Sequence, residues 1–318
     1  MTSLGIDVGG ANLKVADNHG NFKLLYFPIW KKLDKLEYQL RVIRDEFYTD
    51  KVGVVMTAEL SDIFDSKVEG VLKIAEIVNK VFEDVYFLDL NGELRRYDDV
   101  LKKPRMFAAS NWIASVKFLI EEGWKYFIFG DIGSTTTDLI PVTDKIEAGR
   151  TDYERLKNGE LIYFGVLRTP IFYILPEYGV PLASEFFAIS ADVFVITGDV
   201  KPEDYICETP NGRGKDVKSC MKRLARAVCC DLEEIGEEFV ISMAKACKKK
   251  MIEKIMNNIK MIAKKFKIST VLGCGLGEFL LKEATDLIGL RYISLKEKYG
   301  KVTLIFPSYA MAKLVEGK

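Results

Sequence analysis

Two stretches of this chain match without a gap: Asp7-Val-Gly-Gly-Ala-Asn-Leu-Lys14 and Asp131-Ile-Gly-Ser-Thr-Thr-Thr-Asp138. Asp7 aligns with Asp131, Gly9 with Gly133, Asn12 with Thr136 and Lys14 with Asp138. Each follows an apolar run (Leu4, Ile6 and Val8; residues 126–130) and leads into another, the pattern of a strand, a tight turn and a returning strand. A further turn and strand-like run follow each copy, at 18–21 then 22–27, and at 143–145 then 146–148. A unit repeated this far apart predicts two related lobes facing one cleft.

The residue types in the turns suit an anion. Gly9, Gly10 and Gly133 let backbone amides approach it closely. Asn12, Lys14, Ser134, Thr135 and Thr136 add donors. Asp7 and Asp131 are placed to hold a hard cation, Mg²⁺ for choice, that shares the anion's charge. The expectation is a cradle for a metal-bound phosphate or diphosphate.

Composition excludes several other classes. The 318 residues suffice for about two domains, here expected at 1–123 and 124–318, with a return of the last helix to the first lobe left open. Lys plus Arg and Asp plus Glu balance at 46 each, so nucleic acid and anionic membranes are not expected partners. Apolar runs are strand-sized, none long enough for a bilayer, and no signal-peptide pattern opens the chain; a cytoplasmic protein is expected, with self-association left open. The one histidine, His19, lies in a turn, which rules out a poly-histidine metal site. The six cysteines form no CxxC pair and are expected reduced and mostly buried. Proton transfer therefore falls to carboxylates, lysines, hydroxyls or water.

Other segments offer single candidates. The strand at 52–56 ends beside Glu59, at a tip where α/β sheets place ligand contacts; a general base, a metal ligand or a helix-entry carboxylate all fit. Ser110 or Asn111 caps a helix, and Asn111 and Trp112 are alternatives for contact with an aromatic substrate. Arg168 follows a strand at 161–166 and suits a phosphate, a carboxylate or a structural ion pair. Strands are expected at 193–197 and 302–306, and an excursion at 201–219 that acts as a lid or lies passive in solvent. Gly273, Gly275 and Gly277 join a strand to a helix opening at Glu278, where a phosphate or nucleoside can approach backbone.

Taken in order, the turns at Asp7 and Asp131 and the Gly273–Gly277 cluster resemble the phosphate-1, phosphate-2 and nucleoside motifs of the actin/heat-shock ATPase/sugar kinase superfamily. That resemblance implies an α/β, two-lobed actin-like ATPase fold with ribonuclease H-like lobes, mixed sheets flanked by helices, and a central cleft. Met56-Thr-Ala-Glu-Leu60, Ser110-Asn-Trp112, Gly159-Glu-Leu-Ile-Tyr-Phe-Gly-Val-Leu-Arg-Thr-Pro170 and Ser184-Glu-Phe-Phe-Ala-Ile-Ser-Ala-Asp192 narrow it. They resemble the hydantoinase/oxoprolinase-like branch, and within it the archaeal methanofuran-biosynthesis synthases. This resemblance implies a transferase that joins 5-(aminomethyl)-3-furanmethanol diphosphate to γ-glutamyltyramine as an ether and releases diphosphate. For that chemistry Glu59 is the first candidate for proton acceptor and Asp138 the second. A kinase, an oxoprolinase-like amide hydrolase and a non-catalytic actin-like nucleotide-binding protein are the competing readings.

Overall fold

The computed structural model describes residues 2–49 and 51–318. The chain forms two compact units. The first comprises Met1–Lys125, Asp144–Glu154 and Leu295–Lys318; the second comprises Tyr126–Thr143 and Arg155–Ser294. The segments 144–154 and 295–318 cluster with the first unit.

The first unit holds strands β1 (Leu4–Val8), β2 (Asn12–Asp17), β3 (Phe22–Tyr26), β4 (Lys51–Met56), β5 (Asp84–Leu88) and β6 (Leu94–Arg95). Their order is β3-β2-β1-β4-β5-β6. β1, β2 and β3 form an antiparallel meander, and β4 and β5 run parallel to β1. The second unit holds β7 (Phe127–Ile132), β8 (Thr137–Val142), β9 (Leu161–Ile162), a small hairpin of β10 (Glu177–Tyr178) and β11 (Val180–Pro181), then β12 (Thr270–Cys274) and β13 (Arg291–Ser294). Its sheet reads β13-β12-β7-β8-β9. Here too the first three strands are an antiparallel meander, and the last two run parallel to the leading one. Apart from β6, which adds to the edge of the first sheet, the two sheets therefore share one topology, as expected of a duplicated unit.

Strands β1 and β4 are buried along nearly their whole length, as expected when parallel strands are covered on both faces. Helix Lys67–Val81 supports that core with Val71, Ile74, Ala75 and Val78. Ser66 caps this helix by accepting from the Glu69 amide at 3.2 Å. The C-terminal helix Phe306–Glu316 packs so closely on β1 that a Cβ on Gly5 would lie 1.8 Å from the Ser308 carbonyl oxygen. Only glycine permits that approach.

Four sequence expectations are corrected. Residues 193–197 are not a strand but lie in helix Ser190–Thr197, whose N-terminus is closed by the Asp192 carboxylate accepting from the Ile189 amide at 3.0 Å. An apolar run buried on every side has no period to separate helix from strand. Residues 302–306 form a 3-10 turn, Gly300–Ile305, leading into the last helix; Pro307, which has no N–H, fits a first helical turn and would interrupt a sheet. Residues 146–148 form no strand. The Glu154 carboxylate accepts the amides of Arg150 and Thr151 at 2.8 and 3.0 Å, and helix Asp152–Asn158 starts there. The strand foreseen at 161–166 stops at Ile162, because the amide of Val166 turns to the Gly133 carbonyl.

The 201–219 excursion is pinned to its own unit. Tyr205 is buried with its hydroxyl donating to Asp192 at 3.3 Å, and Arg223 holds the Gly214 carbonyl at 2.9 Å and Asp192 at 2.7 Å. All six cysteines are free thiols, with 207, 220, 247 and 274 buried. No described helix is long and apolar enough to cross a membrane.

Candidate active site

The two repeated turns have one geometry. In the first, Asp7 pairs with Lys14 and Val8 with Leu13, and the Gly9 amide donates to the Asn12 carbonyl at 3.0 Å. In the second, Asp131 pairs with Asp138 and Ile132 with Thr137, and the Gly133 amide donates to the Thr136 carbonyl at 3.0 Å. A Cβ on Gly9 would come within 2.8 Å of the Asn12 oxygen, so the first turn demands glycine. The strands behind are buried, while Gly9, Gly10, Gly133, Ser134, Thr135 and Thr136 are only half-buried. The donors are thus at the surface of a rigid support.

In the first unit, Asp7 is fully buried and one of its oxygens accepts from Lys14 Nζ at 3.0 Å. Its other oxygen, Oδ1, has no hydrogen-bond partner among the described residues. An ionised carboxylate with a spare buried oxygen is costly unless a cation or donor completes it. The loop after β4 adjoins the turn: the Thr57 amide donates to the Val8 carbonyl at 3.0 Å, and Thr57 Oγ1 stands 3.6 Å from the Cβ position of Gly9.

Glu59 follows two residues later in the 3-10 turn Ala58–Leu60 and is buried. Gly70 of the Lys67–Val81 helix lets that turn seat directly: its Cβ position lies 2.7 Å from Glu59 Cα. Neither carboxyl oxygen of Glu59 has a partner of good hydrogen-bond geometry. Burial dominates its acidity and pushes the pKa from 4.5 up to about 8, against the weaker pull of the Glu59 and Ala109 amides; Asp152 raises it further and Lys67 opposes. Those two amides are close enough to favour the charged form without making a well-aligned bond. Beside it lies a pocket of about 350 Å³ lined by Lys67, Val68, Leu90, Arg105, Ala109 and Asp152, all from the first unit. Ala109 has φ 51°, a left-handed conformation rare for a residue with a Cβ. Sequence reasoning named Glu59 but missed the pocket, whose residues come from four separated segments.

In the second unit, Arg168 reaches the turn. Its guanidinium donates to Thr135 Oγ1 at 3.4 Å, and its amide to the Ser134 carbonyl at 3.1 Å. Gly165 makes this possible, since a Cβ there would lie 2.5 Å from the Thr135 nitrogen. Asp131 is half-buried, and Gly275 packs on it: a Cβ on Gly275, whose φ is 90°, would fall 2.3 Å from Asp131 Oδ1. Gly273 packs likewise against Tyr292, and Gly277 against Ile132 and Val166. Tyr292 donates to Glu278 at 3.1 Å. The third glycine cluster therefore braces the second turn.

Asp138 stands apart. It is buried in an ion pair with Arg155, itself buried. Its carboxylate is thus engaged in an ion pair within its own unit. Ser110 stands at the N-cap of helix Asn111–Glu121 without bonding its amides and instead donates to the Phe107 carbonyl at 3.5 Å. Asn111 is half-buried and Trp112 buried.

Residues 50–318 match the model of the hydantoinase/oxoprolinase family. This chain belongs to that family. A curated relative from Methanocaldococcus jannaschii is 43% identical over 98% of this chain and 97% of its own length. It is named (4-{4-[2-(gamma-L-glutamylamino)ethyl]phenoxymethyl}furan-2-yl)methanamine synthase. A Methanococcus vannielii protein of the same name is 36% identical over 61% of this chain and 92% of its length. Among solved structures, a ROK family glucokinase from Streptomyces griseus aligns over all of both chains with TM-score 0.51 at 11% identity, which speaks to the fold alone. The hydantoinase/oxoprolinase chain described here thus has the mixed α/β, actin-like architecture expected from its motifs.

Proposed function

We propose that this chain forms the phenoxymethyl ether spelled out in its relatives' name, as a step of methanofuran synthesis. The phenol oxygen of γ-glutamyltyramine attacks the methylene carbon of 5-(aminomethyl)-3-furanmethanol diphosphate. The new carbon–oxygen bond forms as the bond to the diphosphate oxygen breaks. The phenol proton passes to a carboxylate, and diphosphate leaves. The observation that carries this reading is the 43% identity over nearly the full length of both chains.

The site chemistry supports it. A departing diphosphate needs donors aimed at its growing charge. In the first unit the Gly10 amide, and in the second the hydroxyls of Ser134, Thr135 and Thr136 with Arg168, are donors of that kind, while the Gly9 and Gly133 amides close the turns that present them. The furan ring tolerates positive charge at the departing carbon, so the bond can break early. Glu59, with a pKa of about 8, is nearer the phenol in basicity than an ordinary carboxylate, as proton transfer favours. Magnesium belongs to the proposal: when bound, it neutralises charge on the diphosphate. Asp7, with its spare oxygen, would hold it in the first unit, phosphate and water supplying the rest, as this ion prefers; Asp131 is the matching carboxylate of the second unit. The substrates are small molecules and the setting proposed is the cytoplasm.

The test is incubation with Mg²⁺, the furan diphosphate and γ-glutamyltyramine, without ATP. Ether and diphosphate in equal amounts are expected. ATP turnover without ether would overturn the reading in favour of a kinase or amide hydrolase; ATP binding without either chemistry would favour an actin-like sensor.

A further inference from the structure

The pocket beside Glu59 has a chemistry of its own. One wall is apolar, from Val68, Leu90 and Ala109, while Lys67, Arg105 and Asp152 bring two cations and one carboxylate to it. Among the described residues, neither Lys67 nor Arg105 is in an ion pair. Lys67 also stands at the first turn of helix Lys67–Val81, where the helix dipole favours an anion. The volume of about 350 Å³ is at the small end of ligand sites, enough for a ring with a short polar tail.

An α-amino acid head carries one carboxylate and one ammonium. The relatives' product name contains such a head, a γ-L-glutamylamino group, joined through an ethyl link to an aromatic ring. Each part has a counterpart in the pocket. We propose that this pocket is the subsite for the γ-glutamyl acceptor, with the glutamyl carboxylate on Arg105 and Lys67 and its ammonium on Asp152. The assignment rests on the function proposed above. It makes Arg105 a specificity residue: it selects γ-glutamyltyramine over tyramine, whose free amine lacks the carboxylate.

Arg105 is exposed, so Arg105→Ala is expected to fold. The measurement is kcat/KM for γ-glutamyltyramine and for tyramine in both proteins. Losing one charge-assisted contact should shrink the preference for γ-glutamyltyramine by about ten- to a hundredfold, mainly through KM; Arg105→Lys should restore part of it. An unchanged preference overturns the subsite. Calorimetry with γ-glutamyltyramine alone separates the two ideas. Binding that Arg105→Ala weakens, with no ether formed by the wild type, supports the subsite and refutes the function; ether formation with equal binding by both proteins refutes the subsite and spares the function.

Discussion

Asp138 and Arg155 form a buried ion pair across 17 positions of sequence, joining strand β8 to helix Asp152–Asn158. The pair converts a residue at the end of the second phosphate-type turn into a structural anion. In the first turn the matching position is Lys14, which neutralises Asp7 across the same strand pair. Both turns thus solve the cost of a buried carboxylate with a cation, one from within the hairpin and one from a helix beyond it.

Removing that cation should be costly. Arg155→Leu strands the Asp138 charge and is expected to destabilise the fold by about 3–5 kcal/mol, read as a lower denaturant midpoint. The double variant Arg155→Leu with Asp138→Asn should recover much of the loss. Equal destabilisation by single and double variants would show that the pair is not what the fold depends on.

Glu59 predicts a pH dependence with a definite sign. Above pH 4.5 the unfolded chain loses this proton, while the folded chain keeps it until about pH 8. Unfolding then releases a proton, so stability falls as pH rises between these values, by up to about 1.4 kcal/mol per pH unit, and levels off above them. Glu59→Gln carries no such proton. It should be more stable than wild type at pH 8 and similar near pH 4, when unfolding is followed by calorimetry. As the proton acceptor, Glu59 works ionised, so wild-type turnover should rise with pH up to about 8 and Glu59→Gln should lose that rise along with most of its rate. A variant with full activity and an unchanged profile would remove Glu59 from the chemistry.

Asp131 and Gly275 should fail in different ways. Asp131→Asn keeps the shape of the turn but loses the charge, so turnover should drop by a large factor while the unfolding midpoint is retained. Gly275→Ala sets a methyl 2.3 Å from the Asp131 carboxylate at φ 90°. It should lower both turnover and stability, the backbone strain alone costing about 1 kcal/mol or more. Near-wild-type turnover in Asp131→Asn would exclude that residue from the site.

The turns were legible because glycine and the strand alternation around it are local signals, and a gap-free match preserves strand register. The shared topology of the two sheets followed from the same repeat. Helix Ser190–Thr197 was not legible: its apolar run has no period, and Arg223, which fixes its Asp192, lies 31 residues away. The Asp138–Arg155 pair and the pocket beside Glu59 were hidden for the same reason, since both join segments that only the fold brings together. Segment 144–154 shows it most clearly. Residues 146–148 within it read as a third strand, yet the segment clusters with the first unit and contributes Asp152 to a pocket there.

The central claim is that the phenol oxygen displaces diphosphate at carbon. Its most direct test uses γ-glutamyltyramine carrying ¹⁸O in the phenol, with Mg²⁺ and the furan diphosphate and no nucleotide. Mass spectrometry of both products should find all the label in the ether and none in the released diphosphate. Label in the diphosphate, or an ether that forms only when ATP is supplied, would contradict the account.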